Sequence, residues 1–179
     1  MKVTPLKIPD VKLIEPDIFE DERGLFYESF NQQKFNEAIG GYIFFVQDNH
    51  SKSSKGVLRG LHYQEAPFTQ GKLVRVIAGE VFDVAVDIRK NSPTYGQWIS
   101  EILTGENKKQ LWIPEGFAHG FLSLTNNVEF LYKTTNFYNK EHEVCINPFD
   151  KTINVNWKEL SSNLILNKRD RAGINMRDL

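Results

Sequence analysis

Short runs of alternating residue character, each closed by turn formers, recur along this chain and restrict it to a β architecture. The clearest is Val81-Phe82-Asp83-Val84-Ala85-Val86-Asp87, which places Val81, Asp83, Ala85 and Asp87 on one side and Phe82, Val84 and Val86 on the other. A repeat of two is that of an extended strand, here one with an apolar and a partly polar face. Similar runs occupy 11–15, 43–47, 57–63, 73–78, 98–103, 110–113, 119–124 and 128–134. Between them stand turn-forming groups such as Asn91-Ser92-Pro93, Thr104-Gly105-Glu106-Asn107 and Thr125-Asn126-Asn127. Regular spacing of short strands and tight turns predicts a sandwich or barrel. One helix is predicted over 32–38, capped by Asn31 and ended by Gly40. With no repeat, low-complexity run or linker, residues 1–179 read as one all-β domain with small helical additions.

Composition narrows the function. The 22 basic and 23 acidic residues nearly cancel, which argues against a sequence-independent nucleic-acid binder. The single cysteine, Cys145, makes no intramolecular disulfide and no multi-cysteine metal site, and reads as a small buried apolar residue. No apolar run reaches the roughly 18 residues of a membrane span, and the first residues lack the basic start and apolar run of a secretory signal. The expectation is a soluble cytoplasmic protein. Residues 21–30 interleave charges with aromatics. They read either as an exposed hairpin with its aromatics inside, or as an arm delivering Arg23 and Glu28 to a ligand or a neighbouring subunit.

The chemistry gathers around two histidines in glycine-rich strand contexts, His62 in Gly56-Val57-Leu58-Arg59-Gly60-Leu61-His62-Tyr63-Gln64 and His119 in Pro114-Glu115-Gly116-Phe117-Ala118-His119-Gly120-Phe121. Imidazole suits proton transfer near neutral pH. Arg59 and His62 are three residues apart, so they point to opposite faces unless Gly60 introduces a bulge. A metal centre is disfavoured: no second histidine follows His62 two residues on, and two histidines alone are a poor ligand set. Lys72 reads as a solvated strand-end lysine or as a cation placed where negative charge develops on a substrate oxygen. Arg59 offers the planar fork that suits a phosphate. Tyr132 fits a core tyrosine as well as a general acid facing His62, and spacing does not choose between them.

Longer strings carry a family resemblance. The His62 and His119 strings, Gln70-Gly71-Lys72-Leu73-Val74-Arg75-Val76, the stretch from Gly79 to Lys90 and Phe130-Leu131-Tyr132-Lys133 resemble the dTDP-4-dehydrorhamnose 3,5-epimerase family, over about 14–170. The resemblance implies a double-stranded β-helix (a cupin-like jelly roll) acting as a homodimer without metal or organic cofactor. It implies His62 as general base, Asp170 as its supporting carboxylate, Tyr132 as the acid on the opposite face of the sugar, and Lys72 beside the keto oxygen. His119 matches a second pocket histidine, Arg59 a diphosphate contact, and Gln47 and Asn49 contacts on the nucleotide and phosphate side. Arg23, Phe26 and Glu28 resemble an arm that crosses the dimer, and Tyr138 an aromatic that stacks on the base. Two departures stand out: Asn167 replaces a serine, and Asn147-Pro148-Phe149-Asp150 replaces a Trp-Asn-Asp-like turn expected near the base end of the ligand.

The implied reaction inverts C3 and C5 of dTDP-4-dehydro-6-deoxy-D-glucose to give dTDP-4-dehydro-L-rhamnose. The rival readings are a relative that inverts C3 only, a non-catalytic sugar-nucleotide-binding cupin and a metal-dependent cupin. Intact Tyr132 favours the double epimerase over the first, and the unbroken set of His62, Lys72 and Tyr132 speaks against the second.

Overall fold

The computed structural model describes residues 1–179, the side chains of residues 158 and 159 excepted. In chain order the first elements are β1 (Lys2–Pro5), β2 (Lys12–Glu15), β3 (Ile18–Asp21), β4 (Gly24–Tyr27), α1 (Gln32–Ile39), β5 (Gln47–Ser53) and β6 (Leu58–Gln64). Then come β7 (Lys72–Ala78), β8 (Glu80–Asp87), β9 (Trp98–Thr104), β10 (Gln110–Ile113), β11 (Phe117–Ser123), β12 (Val128–Thr134) and β13 (Glu143–Cys145). Two short helices follow, α2 (Trp157–Leu160) and α3 (Lys168–Arg171). The strands form a six-stranded sheet, β1-β2-β10-β7-β12-β5, and a five-stranded sheet, β13-β6-β11-β8-β9; β3 and β4 form a separate hairpin. Every strand pairing is antiparallel. This is the expected all-β double-stranded β-helix, and among the described residues no helix is long and apolar enough to cross a membrane.

Period-two alternation explains the layers. Val74, Val76, Leu111, Val128 and Phe130 of the first sheet meet Val81, Ala85, Leu103, Phe117 and Phe121 of the second in the core between them. Residues pointing the other way are covered from outside. On the second sheet, Leu58, Leu61, Val84, Val86 and Leu122 pack beneath the segment after β13, through Ile146, Ile153, Val155, Trp157 and Met176. Trp157 is 1 % exposed and donates to the Pro148 carbonyl at 2.8 Å; truncating such a side chain costs about 3–5 kcal/mol. On the first sheet, Leu73, Trp112 and Ile14 lie under Phe35 of α1.

Strand β8 is thus buried on both faces, and its polar side faces inward rather than to water. A buried carboxylate must be paired. Asp83 finds His119, and Asp87 accepts from Arg89, Ser92 and Thr94. Although burial opposes ionisation of Asp87, those hydrogen bonds hold its carboxyl well below the usual range.

Helix α1 matches the sequence reading: the Asn31 side chain accepts from Lys34 N–H and Gly40 closes the helix in the left-handed region at φ 79°. Three readings need correction. The strand expected at 43–47 begins at Gln47, because Phe45 is drawn against Phe35 and Trp112 while only Val46 N–H reaches the Thr134 carbonyl, at 2.9 Å. Strands β1 and β13 and helices α2 and α3 fall outside the runs and the one helix read from the sequence. The β3–β4 hairpin exists, but its aromatics are not inside: Phe19 is 64 % and Phe26 71 % exposed.

Candidate active site

A cavity of about 190 Å3 lies between the two sheets. The six-stranded sheet contributes Ser51, Lys72, Phe130 and Tyr132 to its wall, and the five-stranded sheet contributes Arg59, His62, Gln64 and His119. The two histidines are cross-strand partners in the β6–β11 ladder. Arg59, three residues before His62, pairs with Phe121, only two after His119, so β6 carries one extra residue. That residue sits at Gly60, whose φ of 117° favours glycine, and where a Cβ would stand 2.6 Å from the Gly120 Cα. The bulge turns Arg59 and His62 toward the same cavity, as the sequence reading required for the two to cooperate.

His62 Nε2 meets Asp170 Oδ1 at 2.6 Å across 108 positions of sequence. The segment that covers the second sheet brings the aspartate there: Asn167 caps α3 by accepting from Asp170 N–H at 2.7 Å, and Asp170 is 1 % exposed. An ionised carboxylate only accepts, so Nε2 of a neutral His62 carries the proton and Nδ1 keeps its lone pair. The Cys145 thiol lies 3.7 Å from the same Oδ1, where it donates. Burial, with the Asp170 charge, pushes that thiol up to about 12. His62, Cys145 and Asp170 bring potential metal-ligating atoms within 4.8 Å of one another. His62 Nε2 and the thiol both meet Asp170 Oδ1, which holds the imidazole in place.

Lys72 is not the solvated lysine a strand end usually carries. It is 7 % exposed, its Nζ donates to the His62 carbonyl at 3.1 Å, and burial lowers it to about 8 despite Glu143 and Asp83. Tyr132 is on the facing sheet, with its phenol raised above the ordinary value by burial first and by Glu143 second. His119 Nε2 reaches both oxygens of fully buried Asp83, at 3.0 and 2.9 Å, and the ring stacks on Phe130 at 6.0 Å. Arg59 Nε donates to Ser53 Oγ at 3.1 Å. At the exposed rim, the Tyr138 hydroxyl donates to Glu143 at 2.7 Å and Arg169 pairs with the same carboxylate. Tyr138 N–H donates to the Gln47 side-chain oxygen at 3.1 Å, and Gln47 Nε2 donates to Asn49 at 2.9 Å.

The fold therefore gathers His62, Lys72, Tyr132, Asp170, Arg59, His119 and Tyr138 around one cavity. Gln47 and Asn49 lie farther along the face of β5 that carries Ser51. Arg23, Phe26 and Glu28 are not part of this chain's cavity: Arg23 pairs with Asp21, Phe26 faces out and Glu28 binds Lys34. The 147–150 segment also lies apart from the cavity. Its buried Asp150 accepts from the Thr152, Ile153 and Met176 N–H groups. Sequence reasoning missed Asp83, Glu143, Arg169, Gln64 and Ser51. Only Asp83 left a signal, as a carboxylate between apolar neighbours in the middle of a strand.

The family model for dTDP-4-dehydrorhamnose 3,5-epimerase matches residues 5–178. A dTDP-4-dehydrorhamnose 3,5-epimerase of Shigella flexneri is 60 % identical, covering 97 % of this chain and 94 % of the relative. One of Pseudomonas aeruginosa is 57 % identical over the same shares. The solved dTDP-6-deoxy-D-glucose-3,5-epimerase of Legionella pneumophila, in complex with dTDP-4-keto-L-rhamnose, is 51 % identical with a TM-score of 0.95, covering 98 % of this chain and 93 % of that one. The cavity between the sheets is that of a protein whose whole length carries one signature, and the chain belongs to the dTDP-4-dehydrorhamnose 3,5-epimerase family.

Proposed function

We propose that this protein inverts C3 and C5 of dTDP-4-dehydro-6-deoxy-D-glucose, yielding dTDP-4-dehydro-L-rhamnose, by proton transfer between His62 and Tyr132 through an enolate. The observation that carries the reading is the placement of the His62–Asp170 pair and Tyr132 on opposite sheets of one cavity, with Lys72 buried beside them. The C4 carbonyl acidifies the neighbouring C–H bonds, so the chemistry asks for a base, an acid and a counter-charge rather than a metal or organic cofactor. His62 Nδ1 takes the proton from one face of the ring, and Asp170 holds Nε2–H and balances the imidazolium. Negative charge collects on the C4 oxygen, where the Lys72 ammonium stabilises it in a site screened from water. Tyr132, whose raised phenol stays protonated at neutral pH, delivers a proton to the opposite face and completes the inversion.

Arg59 and the Tyr138–Glu143–Arg169 rim hold the nucleoside diphosphate, so binding far from the reacting carbons sets their position. The hairpin β3–β4, with exposed Phe19, Leu25 and Phe26, extends into a second copy of the chain. There Arg23, Phe26 and Glu28 complete the partner's site in a cytoplasmic homodimer. The test is incubation of dTDP-4-keto-6-deoxyglucose with the protein in deuterated water. Deuterium at both C3 and C5 supports the reading, label at C3 alone would reduce it to a single epimerisation, and no uptake would refute it.

A further inference from the structure

Gln64 follows His62 by two residues on β6, so after the bulge the two side chains share a face and both line the cavity. Gln64 is 5 % exposed, and its amide orientation is set by its surroundings: Oε1 accepts from Asn139 N–H at 2.8 Å, which turns Nε2 the other way. That Nε2 is buried without a hydrogen-bond partner. Leaving a buried donor unpaired is unfavourable, so such groups need a reason. Among the described residues the other unpartnered buried side-chain atoms are Ser51 Oγ and Ser123 Oγ, and Ser51 also lines this cavity. Two of the three orphans thus point to the same place.

We propose that Gln64 is a substrate-contacting residue whose Nε2–H donates to an oxygen of the sugar ring held over His62. The inference rests on the epimerase reading and extends it to a residue that discriminates the sugar. His62 takes its proton from a ring carbon, so the ring must lie beside His62, and an amide two residues along the same face meets the ring's oxygens. Register points the same way: Glu143 is opposite Gln64 and Cys145 opposite His62, so the donor stands between the base and the rim. An amide held from one side by a backbone N–H is fixed before the substrate arrives, and an analogue lacking the matching oxygen would leave it unpaired.

Two variants test this. Gln64→Glu keeps an oxygen to accept from Asn139 N–H and removes the donor, whereas Gln64→Met removes both. Each is compared with the wild type for kcat/KM on dTDP-4-keto-6-deoxyglucose, for affinity toward dTDP alone and for thermal midpoint. The expected result is a kcat/KM about ten- to a hundredfold lower in both variants. Affinity for dTDP should stay within about threefold in Gln64→Met, the variant that adds no charge opposite Glu143. Wild-type kcat/KM in either variant would overturn the proposal. So would a parallel loss of dTDP affinity in Gln64→Met, which would place the side chain's role at the nucleotide or in holding the Asn139 backbone through Oε1. Deuterium uptake by the wild type reads the epimerase assignment separately, so the two can fail independently.

Discussion

Replacing Lys72 with methionine separates two effects of its burial that run in opposite directions. Burial lowers the Lys72 ammonium from 10.5 to about 8 in the folded protein. The unfolded chain keeps the ordinary value, so between about pH 8 and pH 10.5 it binds more protons than the folded state, and stability rises with pH across that window. At neutral pH the buried charge therefore costs the fold about 3 kcal/mol relative to the neutral amine. The proposed mechanism uses that charge beside the enolate, so on it kcat/KM should fall as pH rises through about 8, roughly tenfold per pH unit. Methionine fills similar space without the charge and gives up one hydrogen bond, to the His62 carbonyl, worth about 1 kcal/mol. The net gain of about 2 kcal/mol raises the thermal midpoint by roughly 4–8 °C, while kcat falls about a hundred- to a thousandfold. Initial rates of deuterium uptake from about pH 6 to about pH 10, beside calorimetric melting of both proteins, measure the two effects. A variant that melts lower than the wild type, or that keeps an alkaline limb near 8, would refute this account of Lys72.

Asp170→Asn lets an amide N–H meet His62 Nε2 and favours the wrong tautomer. We expect kcat to fall about a thousandfold with KM within about threefold, read by the same deuterium uptake. Tyr132→Phe keeps the base and removes the opposite proton donor. Label should still enter at C3 while inversion at C5 is lost, which product NMR resolves. Gly60→Ala puts a methyl group 2.6 Å from the Gly120 Cα at a φ of 117°, so it should cost about 3 kcal/mol or more and disrupt proton uptake, seen as a lowered denaturation midpoint together with lost activity.

The sheets were legible because their signal is local: a run such as Val128–Thr134 states its own repeat, and antiparallel neighbours need only short connections. The reading slipped where a tertiary demand outweighed the repeat, as at Phe45, whose ring serves the cluster around Trp112 while the ladder waits for Gln47. At the hairpin, Phe19 and Phe26 have no core beneath them in one chain, which no alternation discloses. The His62–Asp170 contact spans 108 positions, and family strings rather than spacing suggested it. Asp83 was visible as an oddity, but its partner is set by ladder registry, in which β11 lies between β6 and β8. Gln64 shows nothing unusual in the sequence, because an orphaned donor exists only once its surroundings close.

His62 and the carboxylate that meets it also divide the making of this protein into two stages. All thirteen strands precede residue 146, whereas the oxygen that steers His62 arrives at 170, on the wrap that shields the outer side of the second sheet. As synthesis proceeds from the amino end, the jelly roll can pair its strands while the imidazole is still unsteered. The His62–Asp170 contact then forms when the wrap docks. A chain cut after β13 would keep every strand yet lack both the cover over Leu58, Leu61, Val84, Val86 and Leu122 and the carboxylate that meets His62.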